Sequence, residues 1–273
     1  MRSSRRAASR RPLAGAGIRR IAAGAVVVGI VTAAVVLART RHEPTSAART
    51  PAAPTTARSI SPTPLLAAAA ALGRNAGYRT SIAVVDLDTG IIRTAGDAGT
   101  FATGSAATPL AAAQTRAGIA IGGSTSRPGP AAPTRVTAAA LAQFYLAVYR
   151  SGSADSAGDR RVWPSLTALM SRSPQRAPDG TDLYFGIPDA GGGHTVVQGW
   201  SITRSGDGLR TDATVNSVGI VTVDGRRYAV ALLTEGRDNG VDTGSRTLVR
   251  AQANAVTAIA RIVLRDLRSP IAR

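Results

Sequence analysis

Few side chains in this 273-residue sequence can do chemistry, because the chain contains no cysteine and no lysine. All 33 basic residues are arginines, and the histidines are His42 and His194. These absences exclude thiolate nucleophiles, disulfides, a Schiff-base lysine and a phosphate-loop lysine. Two histidines cannot form a three-histidine metal site, so neither a metal nor another cofactor is expected. Hydroxyl, carboxylate and backbone groups remain as sources of catalysis or binding.

Ser105 and His194 are the candidate catalytic residues. Ser105 lies at the predicted start of a helix, where a serine is more often an N-cap than a nucleophile. His194 follows three glycines at the head of a predicted strand, where a solvated loop residue is the simpler interpretation. A nucleophilic serine needs a base, and a Ser105–His194 pair oriented by Asp189 or Asp212 is the arrangement that the sequence leaves open.

The pattern of apolar residues predicts the elements that must position these side chains. Helices are expected at residues 65–76, 105–116, from Val136 onward, after Trp163-Pro164 and at 244–267, and strands at 81–86, 91–95, 195–203, 213–223 and 226–234. Asp224-Gly225 is a favoured two-residue hairpin turn. The order predicts an α+β fold: a five-stranded antiparallel sheet with the N- and C-terminal helices on one face and a reduced helical lobe.

The last predicted helix carries a heptad repeat of valines. Val249, Val256 and Val263 recur every seven residues, which places them on one face of the helix. Such a face needs a packing partner, so these valines should be buried against the sheet and the helix at 65–76.

The N-terminal part of the chain predicts a membrane anchor. Residues 1–20 hold seven arginines and no acidic residue, and residues 21–38 are uncharged and long enough to span a bilayer. The positive-inside rule then predicts a single-pass protein of the cell membrane with a cytoplasmic N-terminus. Residues 39–64 read as a Pro/Thr/Ala-rich linker, and residues 65–267 as an extracytoplasmic domain. The alternative is a secreted protein whose apolar run is a cleaved signal peptide.

The formal net charge of +17 does not indicate a nucleic-acid binder. Nine arginines and no acidic residue fall within residues 1–42, and the remaining charge is spread thinly. A binder of nucleic acid concentrates its positive charge on one face, so no nucleic-acid partner is expected.

Four stretches occur in an order typical of one enzyme superfamily. They are SIAVVD at residues 81–86, FATGS at 101–105, VTAAALAQFY at 136–145, and the run from Phe185 to Trp200. They resemble the serine β-lactamase and penicillin-binding-protein superfamily, and most closely the class A-like serine hydrolases of high-GC bacteria. The resemblance covers most of residues 65–267 and implies a serine-hydrolase fold.

The resemblance implies three catalytic motifs, and each is incomplete here. The S-x-x-K motif corresponds to Ser105-Ala106-Ala107-Thr108, which has no lysine. The S-D-N motif has no counterpart, since no asparagine lies between Thr108 and Val197. The K-T-G motif corresponds to Val197-Gln198-Gly199, which has no cation for a substrate carboxylate. The family's oxyanion hole would be formed by the backbone N–H groups of Ser105 and Trp200.

We therefore expect a membrane-anchored, catalytically degenerate β-lactamase-like domain that binds or scaffolds at the cell envelope. Its cleft would consist of Ser105, Val197, Gln198, Gly199 and Trp200. Peptidoglycan or an envelope protein is the expected partner, beside the membrane itself through residues 21–38. The alternative is an active serine hydrolase, of the β-lactamase or D-Ala-D-Ala peptidase kind, that uses Ser105 with a base other than lysine.

Overall fold

The computed structural model describes residues 57–106, 121, 135–153, 162–171, 176, 180, 182–192, 195–204, 211–238 and 245–269. The helices are α1 (Pro64–Asn75), α2 (Ala138–Ser153), α3 (Val162–Ser171) and α4 (Ser245–Arg268). The strands are β1 (Arg58–Ile60), β2 (Arg79–Asp86), β3 (Ile91–Gly96), β4 (Phe101–Ala102), β5 (Arg135–Val136), β6 (Val196–Arg204), β7 (Thr211–Val223) and β8 (Arg226–Asp238). The α+β class predicted from the sequence is confirmed.

The main sheet has six strands in the order β1-β3-β2-β8-β7-β6, and β4 pairs with β5 in a separate two-stranded sheet. The prediction of five antiparallel strands is wrong in one respect. The additional strand β1 pairs parallel with β3, which makes the sheet mixed. β1 has only three residues in a Pro- and Ser-containing stretch, so no alternation of apolar residues predicts a strand there.

The fold begins before the predicted linker ends. Ala57 is buried, and the Arg58 amide donates to the Gly90 carbonyl 3.1 Å away. Thr63 is the N-cap of α1, because its Oγ1 accepts a hydrogen bond from the Leu66 amide at 3.1 Å. The last residues of the predicted linker are therefore part of the domain.

Helices α1 and α4 lie together on one face of the sheet, as predicted. Val249, Val256 and Val263 are buried in one apolar cluster with Leu66 of α1 and Leu232 of β8. The heptad repeat thus marks the face of α4 that contacts α1 and the sheet.

The opposite face of the sheet is covered by α2. Leu141, Tyr145 and Val148, which share a helical face, are fully buried in a second cluster. The hairpin between β7 and β8 turns at Asp224 and Gly225, which have φ values of 49° and 77°. Both angles are positive, as a type I′ turn requires.

The predicted anchor at residues 21–38 and the basic tail at residues 1–20 lie outside the described residues. Among the residues that the structure describes, no helix is long and apolar enough to cross a membrane. Of the predicted helix 105–116, only the beginning is described, as a 3₁₀ turn over Gly104–Ala106.

Removal of the Tyr145 hydroxyl should stabilise the protein. The side chain is fully buried, and no atom of the described residues hydrogen-bonds its hydroxyl oxygen. An unpaired buried hydroxyl is costly, so we expect Tyr145→Phe to raise the free energy of unfolding by about 1 kcal/mol near neutral pH, measured by urea denaturation.

The same substitution should change the response to alkaline pH. Burial raises the pKa of Tyr145 above the ordinary value of 10.0. Above pH 10 the unfolded chain loses this proton while the folded chain keeps it, so the wild-type protein loses up to about 1.4 kcal/mol of stability per pH unit. Tyr145→Phe should lack this contribution. Equal alkaline slopes for the two proteins would contradict the burial of the hydroxyl.

Candidate functional site

Ser105 lies on a tight turn directly after β4. Phe101 and Ala102 pair with β5, Thr103 is buried, and the 3₁₀ turn follows over Gly104–Ala106. Gly104 has a φ of 58°, a conformation that L side chains rarely adopt. Ser105 is exposed at the apex of this turn, which we call the Ser105 turn.

The backbone of the Ser105 turn lies directly against the backbone of β6. A Cβ atom on Gly104 would lie 2.8 Å from the carbonyl carbon of Trp200, and one on Gly199 would lie 2.4 Å from the carbonyl oxygen of Thr103. Both glycines are therefore required by the close approach of the two segments. The chemically relevant consequence is that the amide of Trp200 faces the Ser105 side chain.

The Trp200 amide donates a hydrogen bond to Ser105 Oγ at 3.2 Å. The structure thus brings together the serine and the β6 amide that the resemblance implied for an oxyanion hole. In this arrangement the Ser105 hydroxyl oxygen already accepts the hydrogen bond that the Trp200 amide can donate. A carbonyl ligand would have to displace the hydroxyl to accept that hydrogen bond.

The other predicted cleft residues lie along β6. Val197 is buried in the cluster beneath α2, Gln198 is half-buried, and Gly199 contacts the Ser105 turn. His194 lies outside the described residues, so its predicted pairing with Ser105 stays a prediction.

Asp189 and Asp212 were predicted to orient the imidazole of His194, and this too stays a prediction because His194 lies outside the described residues. Asp189 is exposed and lies 3.7 Å from an Arg261 nitrogen of α4. Asp212 pairs in register with Thr203, three residues beyond Trp200 on β6, which corresponds to about 10 Å along the strand. Within the described residues, no group of three or more histidines and carboxylates could hold a metal ion.

Asn216 was not predicted as a site residue, but its side chain holds the segment that leads to the Ser105 turn. Its buried side chain donates to the Ala102 carbonyl at 2.7 Å and accepts from the Thr234 amide at 3.2 Å. Gln252 of α4 extends this network by donating to Thr234 Oγ1 at 2.8 Å. An asparagine inside a buried run of β-branched residues is the sequence signal that could have identified it, because buried amides need partners.

Glu235 holds the same segment from the other side. Its Oε1 accepts from the Ala102 amide at 2.8 Å and lies 2.9 Å from an Arg135 nitrogen. Arg79 contacts both Glu235 and Asp97, and its hydrogen bond lowers the pKa of the Asp97 carboxyl. These ion pairs fix β4 and β5 to the ends of β2 and β8.

A pair of hydroxyl groups lies at the start of β6. Ser171, the last residue of α3, has its Oγ 3.4 Å from Thr195 Oγ1. Thr195 directly precedes β6, so α3 brings a hydroxyl to the end of the strand that carries the cleft residues. Sequence reasoning missed Ser171, because only the packing of α3 places it there.

Comparisons with known proteins connect this fold with solved structures. No family model matches the chain, and no curated protein matches it. It is similar to the structure of a penicillin-binding protein, PBP-A, with 14% identity over 78% of this chain and 99% of that chain and a TM-score of 0.49.

Two further structures are similar to this chain. One is a β-lactamase from Sphaerobacter thermophilus, with 17% identity over 73% of this chain and 95% of that chain and a TM-score of 0.44. The other is the transpeptidase domain of a D,D-transpeptidase from Legionella pneumophila, with 16% identity over 76% and 97% and a TM-score of 0.43. These structures, together with class A β-lactamases that are also similar to the chain, are β-lactamases and penicillin-binding proteins, the superfamily that the sequence resembles. The likeness is one of fold.

Proposed function

We propose that this domain binds an extended peptide of the cell envelope beside Ser105 and does not turn over substrates as a serine hydrolase. One observation carries the proposal. The Ser105 hydroxyl accepts its hydrogen bond from the Trp200 amide, in a chain that has no lysine to take the hydroxyl proton.

The chemistry of the serine supports a binding role. A serine hydroxyl becomes a nucleophile only when a neighbouring base removes its proton. Arginine cannot serve, because its pKa exceeds about 12. No carboxylate of the described residues hydrogen-bonds Ser105, and an amide that donates to Oγ stabilises the oxygen without removing its proton.

The position of β6 supports a peptide as the ligand. β6 is the last strand of the sheet, and β7 pairs with only one of its edges. Among the described residues, no strand pairs with the other edge of β6, where the Trp200 amide donates to Ser105 Oγ. Such an edge offers backbone N–H and C=O groups to an added strand, which gives affinity without any catalytic residue. Gln198 of β6 is half-buried, and the hydroxyls of Thr195 and of Ser171 at the end of α3 lie together at the start of the strand, so these side chains add polar partners.

We propose further that the domain is presented outside the cell membrane on a single-pass anchor. The uncharged run at residues 21–38 and the seven arginines of residues 1–20 support an N-in orientation. A reporter fused after Arg273 that is active only in the cytoplasm would overturn this topology. A mature N-terminus found downstream of residue 38 would favour the secreted alternative.

Penicillin should not acylate the protein. Because no base activates Ser105, we expect no penicilloyl mass on the full-length chain after incubation with excess penicillin G, and no band after labelling with a fluorescent penicillin. Ser105→Ala is the matched control, and it should give the same mass result as the wild type. An adduct on wild-type Ser105 that Ser105→Ala abolishes would establish the hydrolase alternative, and its loss in His194→Gln would identify the base.

The binding arm of the same test uses insoluble peptidoglycan. We expect the detergent-solubilised full-length chain to sediment with peptidoglycan, and Ser105→Ala to sediment equally well, since the backbone edge of β6 is intact. A wild-type chain that stays entirely in the supernatant would contradict peptidoglycan as the ligand.

A further inference from the structure

Helix α4 exposes a stripe of positive charge on the face turned away from the sheet. The exposed charged side chains that the structure describes on this helix are Arg250, Arg261, Arg265 and Arg268. At 100° per residue these four arginines fall within a sector of about 60°, and at 1.5 Å per residue they extend over about 27 Å. We call this surface the α4 arginine stripe.

Little negative charge lies beside the stripe in the part of the chain that the structure describes. Only Arg261 has an acidic neighbour, Asp189 at 3.7 Å, among the carboxylates that the structure describes. Asp266 is the acidic residue of α4, but it is buried and accepts a hydrogen bond from Thr63 Oγ1 at 2.6 Å. The stripe therefore presents a row of solvated guanidinium groups.

The helix dipole does not account for the whole stripe. Arg265 and Arg268 lie in the last turn of α4, where cations stabilise the C-terminal carbonyl groups. Arg250 lies near the other end of the helix, and Arg261 is two turns from the C-terminus. The dipole acts only within the last turn, so the two remaining arginines need another explanation.

The surface beside the stripe is mildly apolar. α1 packs along α4, and its exposed side chains include Ala67, Ala68 and Leu72, a large apolar side chain that is 36% exposed. Guanidinium groups next to small apolar side chains match the boundary between lipid headgroups and acyl chains. A soluble acidic protein would not need this apolar border.

Helix α1 begins at the end of the stripe. The contact between Thr63 and Asp266 places the N-terminus of α1 at the C-terminal end of α4, beside Arg265 and Arg268. Residues 39–56 connect the proposed anchor to Ala57, where the domain begins six residues before Thr63, and span at most about 65 Å when fully extended. The anchor that we propose thus keeps the stripe within reach of lipid headgroups.

We propose that the α4 arginine stripe docks the domain onto a membrane surface that carries anionic phospholipids. Each arginine close to such a surface contributes about 1 kcal/mol, and every 1.4 kcal/mol corresponds to a tenfold change. Neutralising two arginines should therefore lower the ratio of docked to undocked domain about 25-fold. Docking would lay helices α1 and α4 on the membrane, with the sheet above them.

A single engineered cysteine can report docking, because the chain contains none of its own. Asn254→Cys places a fluorophore on the exposed face of α4, and Thr222→Cys places one on the opposite face of the sheet. The full-length chain is reconstituted in vesicles of phosphatidylglycerol or of phosphatidylcholine that contain a headgroup-labelled quencher lipid. We expect quenching of the Asn254→Cys label in phosphatidylglycerol only, and its loss in high salt.

Two double variants with the same change in net charge provide the decisive comparison. In Arg265→Gln with Arg268→Gln, quenching of the Asn254→Cys label should be lost at much lower salt, whereas Arg150→Gln with Arg227→Gln, on the α2 face of the sheet, should behave as the wild type. Three results would overturn the proposal. They are equal quenching of the Asn254→Cys label in neutral and anionic vesicles, equal quenching of the Thr222→Cys and Asn254→Cys labels, and equal effects of the two double variants. Flotation with neutral vesicles tests the anchor separately, since neutral lipid does not attract the arginines.

Discussion

Gly199→Ala will lower the free energy of unfolding by about 3 kcal/mol, the upper end of the usual cost of overpacking. The new Cβ would lie 2.4 Å from the Thr103 carbonyl oxygen and 2.7 Å from the Ala106 Cβ. Ala106 is part of the Ser105 turn and Thr103 directly precedes it, so relief of the clash requires the turn to move away from β6. Thermal unfolding followed by circular dichroism should show a decrease in Tm of roughly 5–10 °C.

Ser201→Ala is the matched control for this prediction. Ser201 lies two residues farther along β6 and projects to the same side of the strand, but it is half-buried and removal of its hydroxyl creates no clash. We expect its Tm to stay within about 2 °C of the wild type, since surface substitutions change stability little. If the two variants unfold at the same temperature, the close approach of β6 and the Ser105 turn is wrong.

The Gly199→Ala variant also tests whether peptidoglycan binding depends on the position of the Ser105 turn. Movement of the Ser105 turn separates the Trp200 amide from Ser105 Oγ, which are 3.2 Å apart in the structure. Below its own Tm the variant should still sediment with peptidoglycan, as Ser105→Ala should, because the backbone edge of β6 is unchanged. Loss of binding at those temperatures would show that the ligand needs the Ser105 turn as well as the strand edge.

Thr63→Ala should lower the free energy of unfolding by about 2–4 kcal/mol. The threonine caps α1 through the Leu66 amide, and such a cap contributes about 1 kcal/mol. Its hydroxyl also donates to Asp266 Oδ1, and loss of this donor leaves a buried carboxylate without its partner, at a further cost of about 1–3 kcal/mol. Urea denaturation measures the difference.

Thr137→Ala separates the two contributions. Thr137 Oγ1 accepts a hydrogen bond from the Ala140 amide at the start of α2. This variant therefore loses a helix cap, but no buried carboxylate loses its hydrogen-bond donor. We expect a loss of about 1 kcal/mol. Equal losses for Thr63→Ala and Thr137→Ala would mean that the contact between Thr63 and Asp266 contributes nothing.

The helices and strands near the cleft show which parts of the fold a local sequence pattern predicts. Strands β2, β6, β7 and β8 and helices α1 and α4 were predicted within a few residues, because each has a long apolar repeat with the period of its secondary structure. The turn at Asp224-Gly225 was predicted because its two residues tolerate the positive φ angles that the hairpin needs. Strand β1 was missed, because its three residues become a strand only through the free edge of β3.

Some features of the candidate site could likewise be predicted from the sequence, and others could not. The sequence by itself determined what chemistry is available: with no lysine and no cysteine in the chain, any activity of Ser105 depends on histidine or carboxylate partners. It also indicated that Ser105 and the segment 197–200 belong to one cleft, through the resemblance of their motifs. Residue types limit the reactions that are possible, and they do so whatever the fold.

Only the tertiary structure decided which atoms meet in that cleft. The Trp200 amide reaches Ser105 Oγ because two glycines let β6 and the Ser105 turn approach each other backbone to backbone. Asn216 supports the turn because the sheet of β4 and β5 packs against the main sheet, which brings Asn216 within hydrogen-bond distance of Ala102, 114 residues earlier in the chain. Contacts between such distant residues depend on the packing of whole elements, and no local pattern of residues encodes their distances.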